Sequence, residues 1–411
     1  MKNLSKKILV GVFAGFLSLS LLLTGVFHFK GLLGSAYENK ELLLQYKTAF
    51  STVSAIFSDN LIFLEDYSNL YGGLQRAQGR NAVWADSAGS AYMIGDDGKI
   101  YSASIFGSRG EIDEDGLTKE EREKLDECAE ALSRFAKTVT ERNADFFFVQ
   151  APERYDAEYV TLPVENLSAN VLLVDALENQ LKEDENIHLL NLQRYFHEQN
   201  IPFDEWFYRT DHHWTTKTAF LAYQELCRVI NRNTDIQIDE YYFDSANWNV
   251  ETRENSYLGS LGGKVGSGFV GKDDLDFIFP KFETDYQKTS AKAYNVSIEK
   301  GDSIIKQGAY TEAVLDINQS IPEYSSYVGY DVCEVRMTNS KAATDQKVLI
   351  IKDSFALPVG AFLSTCFSET RLLDLRFFGD NLLEYLDSYN PDVVIVLYNP
   401  SSYKTNFFDF E

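Results

Sequence analysis

The sequence predicts an α/β fold, a mostly parallel sheet flanked by helices, with a β-rich insertion and an apolar N-terminal helix. Three observations predict it. Short continuous apolar runs recur at Phe146–Val149, Val348–Ile351 and Val393–Leu397; strands without polar alternation are those buried on both faces, as in parallel sheets. Stretches with apolar residues three and four apart, the period of a helix packed on one side, lie among these runs. Alternation of the two kinds is what strand–helix–strand crossovers produce.

The elements follow in order. Residues 1–7 carry Lys2, Lys6 and Lys7 and no acid, and Ile8–Phe29 then runs for 22 residues without a charged side chain. At about 1.5 Å per residue, that run matches a hydrocarbon core of roughly 30 Å. Lysines before it orient 1–7 as a cytoplasmic tail, 8–29 as a single-pass transmembrane anchor and the remainder as extracellular. A cleaved signal peptide shares the charged start, but the run is long for one and no Ala-x-Ala ends it. Residues 30–85 read as a juxtamembrane helical segment, with Leu42, Leu43, Tyr46, Phe50, Val53 and Phe57 at helical spacing. The domain proper, 86–411, opens with a hairpin at Ala91–Ser104 that turns at Asp96-Asp97-Gly98.

Thr118 and Glu121 form a capping box, and Leu125, Cys128, Leu132, Phe135 and Val139 mark the apolar face of the helix it starts. A helix over about 170–182, a strand at His188–Leu192 and a helix over about 215–230 continue the rhythm. Residues 232–345, rich in Tyr, Asn, Ser and Gly, break it and read as a β-rich insertion. It resumes with strands Val348–Ile351 and Leu372–Leu375, a helix near Asn381–Tyr389 and strand Val393–Leu397.

Composition narrows the function. A chain 45% hydrophobic and 14% aromatic is globular. Its net charge of −24 excludes nucleic acid as a partner, since that binding needs cationic surface. Cys128, Cys227, Cys333 and Cys366 form no CxxC pair and read as buried thiols, with disulfides the alternative outside the cell. Gly266–Gly271 fits Gly-x-Gly-x-x-Gly, but no strand precedes it and aspartates follow it, so it reads as a loop and no cofactor is assigned.

Two segments carry the reactive residue types. In Val348–Phe355, Ser354 stands just past an apolar strand, where ligands bind in open α/β sheets. A serine hydroxyl is protonated at neutral pH, so it needs an imidazole to take its proton and a carboxylate to orient that imidazole. Tyr208–Thr215 supplies both, as Asp211 and His213, whose side chains leave an extended loop on the same side. The blander readings are a helix cap at Asp353-Ser354 and a solvated turn at Asp211–Trp214. A metal held by Asp211 and the two histidines is a third, but adjacent histidines point to opposite sides of a strand, and we assign no metal. Trp206 and Trp214 flank the segment and suit either a sugar face or the core; with Arg209 and Asn399 they are the substrate-binding candidates.

Asp211-His212-His213-Trp214 resembles the signature of the bacterial DHHW family, which is similar to alginate O-acetyltransferase proteins of the AlgX/AlgJ type. Leu258–Gly262 and Gln150-Ala151-Pro152 look like further landmarks, and the resemblance spans roughly residues 55–400. It implies an SGNH-hydrolase-like fold in which Asp211 orients, His213 is the base (His212 the alternative) and Ser354 is the nucleophile. It also implies a polysaccharide acceptor and a membrane-bound O-acyltransferase as the partner that supplies acyl groups. The sequence departs at Lys352, where such enzymes have glycine; Asn399 and the Ser354 N–H are the candidate oxyanion donors. The same triad could serve an esterase, and an inert fold that binds or assembles surface polysaccharide is the non-enzymatic alternative.

Overall fold

The computed structural model describes residues 64–84, 90–103, 111–156, 158–161, 170–291, 304–403 and 407–410, with part of 15–38. Leu42–Phe57 and most of the predicted span at 8–29 lie outside the described residues. Among the described residues no helix is long and apolar enough to cross a membrane.

The chain forms two compact units, residues 1–80 with 265–269, and 81–264 with 270–411. In the first, the helix Leu64–Ala77 meets the glycine-rich run. Gly72 has no space for a side chain, because a Cβ there would overlap the Val265 carbonyl. Asn69 Oδ1 accepts from the Ser267 N–H (2.6 Å) and hydroxyl (2.8 Å). The run predicted as a loop instead carries a helical turn, Ser267–Val270. Its glycines permit close backbone approach, the packing use of glycine and not the phosphate-cradling one.

In the second unit, Ala82–Trp84 (β1), Ala91–Ile94 (β2) and Ile100–Ser102 (β3) form a small antiparallel sheet around the Asp96–Gly98 turn. The main sheet begins with Asp145–Gln150 (β4) and His188–Asn191 (β5). Trp248–Tyr257 (β6) and Asp273–Pro280 (β7) pair as a separate ribbon. The sheet then takes Tyr286–Ala291 (β8), Ile304–Gly308 (β9), Glu334–Asn339 (β10), Thr344–Lys352 (β11), Phe367–Leu373 (β12) and Val393–Tyr398 (β13).

Its order is β5-β4-β13-β11-β12-β10-β8-β9. The first five strands are parallel and the last three antiparallel, so the sheet is mixed. β8, β9 and β10 come from 232–345 and extend the sheet at one edge. Every residue of β13 is buried, which is why its sequence shows no alternation. One face packs on the helix Thr216–Asn233 through Phe220, Tyr223 and Leu226, and the other on Lys119–Thr140 through Leu125, Leu132 and Phe135. Each such side chain contributes roughly 2 kcal/mol on burial. The Thr118–Glu121 capping box starts the second helix in both of its hydrogen bonds. All four cysteines are free and buried.

Candidate active site

Two loops meet at the carboxyl ends of the parallel strands. β11 ends at Lys352, and Asp353-Ser354 turns the chain into the helix Ala356–Leu363. The Asp353 carboxylate accepts from the N–H groups of Phe355 (2.9 Å) and Asn399 (2.7 Å) and from the Ser402 hydroxyl (2.8 Å). The turn bearing Ser354 is thereby clasped to the end of β13. Burial pushes the Asp353 pKa up, although those three donors favour its charged form.

The second loop lies between Trp206 and the helix Thr216–Asn233. A bridge between Phe207 and Trp214 closes it, and the Asp211 carboxylate accepts the His213 N–H at 2.9 Å. His213 Nδ1 lies 2.6 Å from Asp211 Oδ1, and Nε2 lies 2.7 Å from Ser354 Oγ. Burial favours a protonated Asp211, but His213, His212 and the Ser260 N–H (2.6 Å to Oδ2) together hold its carboxyl well below the usual range. An ionised carboxylate only accepts, so Nδ1 carries the imidazole proton and Nε2 accepts the Ser354 O–H. The structure therefore brings the predicted Asp211, His213 and Ser354 into one chain of hydrogen bonds.

His212 takes no part in that chain. It is half exposed, and its Nδ1 bonds Ser260 Oγ at 2.8 Å. Close packing, and then the neighbouring His213, lower its pKa to about 4. Asp211, His212 and His213 offer atoms within 4.8 Å of one another, as a metal site would. Asp211 Oδ1 and His213 Nδ1 bond each other at 2.6 Å, and His212 Nδ1 bonds Ser260 Oγ at 2.8 Å, so each of these atoms already has a protein partner.

The four substrate-binding candidates do not reach the site. Trp214 is wholly buried, its N–H donating to the Tyr324 hydroxyl (2.9 Å) and the Phe355 carbonyl (3.1 Å). Trp206 is equally buried among Phe196, His197 and Phe203 and donates to the Ile201 carbonyl. Arg209 turns away to the Lys272 carbonyl (2.6 Å) and Asp273 (3.3 Å). Asn399 is buried and is not among the residues lining the cleft; its amide donates to the Pro152 carbonyl (3.1 Å) and its oxygen caps the turn at Ser401 (3.0 Å). The landmark Pro152 thus holds the β13 end.

A cleft of about 450 Å³ opens over His213 and Ser354, walled by Tyr257, Ser260, Glu323, Tyr324, Tyr330 and Asp331. Sequence reasoning assigned none of these a role: Ser260 was noticed only within the Leu258–Gly262 landmark, and the others come from stretches with no motif. Tyr324 stacks flat on His213, 4.1 Å between centroids and 9° between planes, and fixes the plane of the imidazole. Gly259, noticed only as a landmark, lies against Asp211: a Cβ there would fall 2.5 Å from Oδ2 and 2.7 Å from Cα. Lys352 occupies the usual glycine position with its ammonium fully buried between Asp331 (2.7 Å) and Asp374 (2.8 Å), and Arg376 bonds the same two carboxylates. Asp331 is a cleft wall, so this ion network braces it.

Residues 112–268 match the family model described as the SGNH hydrolase-like domain of acetyltransferase AlgX, a span that includes Asp211 and His213 but not Ser354. Bacillus cereus PatB1 is similar at TM-score 0.62 and 19% identity, over 78% of this chain and 100% of that one. The same protein with a sulfonyl adduct gives 0.61 and 19%, over 78% and 97%. A DHHW family protein from Eubacterium siraeum DSM 15702 gives 0.54 and 18%, over 80% and 97%. At these identities the structures establish a shared fold: the chain is SGNH-hydrolase-like. No curated protein matches the sequence.

Proposed function

We propose that this chain is a serine-dependent O-acyltransferase that acetylates hydroxyls of a cell-surface or exported polysaccharide. The observation that carries the reading is the hydrogen-bonded chain from Ser354 through His213 to Asp211. The match of residues 112–268 to an acetyltransferase domain supports it.

The chemistry runs in two halves. Ser354 Oγ attacks the carbonyl of an acyl donor while His213 Nε2 takes the hydroxyl proton. Asp211 stabilises the imidazolium that forms and keeps it in register. The Ser354 N–H, which donates to no described residue and sits just before a helix, offers a donor to the developing oxyanion. His213 returns the proton to the leaving group. A sugar hydroxyl, deprotonated by the same imidazole, then attacks the acetyl-serine and carries the acetyl away. The fold neighbour PatB1 has been obtained with a sulfonyl adduct, and Ser354 is the atom such a reagent would take here.

Residues 8–29 complete the reading as a single-pass anchor with the catalytic domain outside the cell. Acetyl-coenzyme A is not expected there, so a membrane-bound O-acyltransferase would deliver the acyl group.

The test is the intact mass of the detergent-solubilised chain after exposure to an activated acetyl ester, with peptide mapping. We expect one acetyl group on Ser354, absent in Ser354→Ala and His213→Ala. No added mass, or equal labelling of all three proteins, sinks the proposal. Release of acetate that added glycan does not divert would make the protein an esterase instead.

A further inference from the structure

We infer that Tyr330, pinned by Glu323, is the acceptor platform of the cleft, and that the acceptor is a glycan bearing no acidic groups. The inference rests on the acyltransferase reading of Ser354 and names the substrate class of that same site.

Tyr330 is the anomaly of the cleft. It shares the cleft walls with Ser354 and His213, yet two thirds of its surface (66%) is exposed. An exposed aromatic ring ordinarily swings freely. This one is tethered, its hydroxyl donating to Glu323 Oε2 at 3.0 Å, where the Ser325 hydroxyl also donates at 2.9 Å. An aromatic face held open to solvent beside a nucleophile offers the C–H face of a pyranose ring a stacking surface at little entropic cost.

The loop that carries it is built to hold a shape. Val328 sits at φ 52°, a left-handed conformation that a β-branched residue adopts only under constraint. Three bonds impose it: the Val328 N–H to Val314 O (2.8 Å), Lys288 Nζ to Val328 O (2.6 Å), and the Tyr327 hydroxyl to Asp276 O (3.2 Å). Strain of this kind persists where the surroundings over-determine it, and it collects at ligand sites.

Charge then selects the ligand. The cleft walls include Glu323 and Asp331 and no lysine or arginine. The cations that brace Asp331 from behind, Lys352 and Arg376, are matched one for one by Asp331 and Asp374. Glu323 remains as negative charge with no ion-pair partner among the described residues, on a chain of net charge −24. A uronate or phosphate-bearing polymer would meet repulsion with no cation among the cleft-lining residues to receive it, whereas neutral or amine-bearing sugars would not.

The test measures how fast acetyl leaves Ser354 of the full-length protein, preloaded with an activated ester. Cello-oligosaccharide, glucosamine oligosaccharide and oligogalacturonate of equal length are added in turn. We expect one or both non-acidic acceptors to accelerate loss at least tenfold over oligogalacturonate at low salt. Tyr330→Ala should raise the half-saturating acceptor concentration about tenfold, with Tyr330→Phe, which keeps the ring, in between. Oligogalacturonate performing as well as the others, acceleration by none of the three, or an unaltered half-saturating concentration in Tyr330→Ala overturns the inference. Failure to form acetyl-Ser354 at all would instead overturn the acyltransferase reading, so the two failures are distinct.

Discussion

At Gly259 the site depends on an atom that is absent. A Cβ there would overlap the Asp211 side chain, so alanine would push apart the carboxylate and the loop whose Ser260 N–H it accepts. Misplacing an orienting group by an ångström costs about a hundredfold in rate, and Gly259→Ala should slow acetyl-serine formation by that order while the protein stays folded. Rapid-quench labelling beside a melting curve checks it, and an unchanged rate would show that Asp211 needs no such fit. The same pair carries a pH signature. A carboxyl held below its unfolded value stabilises the fold above the unfolded pKa and loses that stabilisation as pH falls through the folded one. The melting-temperature deficit of Gly259→Ala should therefore be full from neutrality to about pH 5 and narrow in stronger acid, below about pH 4. Asp211, His213 and Ser354 were legible in the sequence because nucleophilic chemistry demands those residue types in short motifs. Gly259 and Tyr324 were not, since their roles exist only through partners distant in the chain. Trp206 and Trp214 were ambiguous for another reason: an indole suits a sugar and a core equally, and only burial separates the two.

Among the elements, the central strands β4, β11 and β13 were legible as buried apolar runs, the β2–β3 hairpin by its turn, and the edge strand β5 by its place in the strand–helix rhythm. β8, β9 and β10 were not legible as sheet members: their polar-rich sequences, such as Tyr286–Ala291, say only that a strand forms and not which edge it joins. The clasp at Asp353 ties two of the readable strands together, since its carboxylate serves the turn after β11 and the end of β13. Asp353→Ala would strand two backbone donors and a hydroxyl. Relief of the buried charge offsets part of the loss, leaving a net destabilisation of about 3 kcal/mol. Ser402→Ala, which removes one donor and leaves the others, should cost about 1 kcal/mol. Urea unfolding of both variants measures this; equal midpoints for the two would show that the carboxylate does not join the strands.

For the whole molecule, the proposed anchor makes a physical demand on where the protein is found. A 22-residue uncharged run that spans the bilayer is not extracted by alkaline carbonate, whereas a peripheral protein is released. We expect the full chain in the carbonate-resistant membrane fraction and residues 31–411 in the supernatant; full-length chain in the supernatant would refute the anchor. The order of the sheet carries a consequence of its own. β13, the last of the described strands in chain order, lies between β4 and β11, and the bond from His213 to Ser354 joins residues 141 apart in sequence. Until residue 393 has been synthesised, the part of the sheet beside the His213 loop and the part bearing Ser354 have no strand to join them. Contacts this far apart in sequence form late. On the acyltransferase reading, a chain that stops short of β13 lacks the assembled site, and its reactivity waits on the strand that joins the two parts of the sheet.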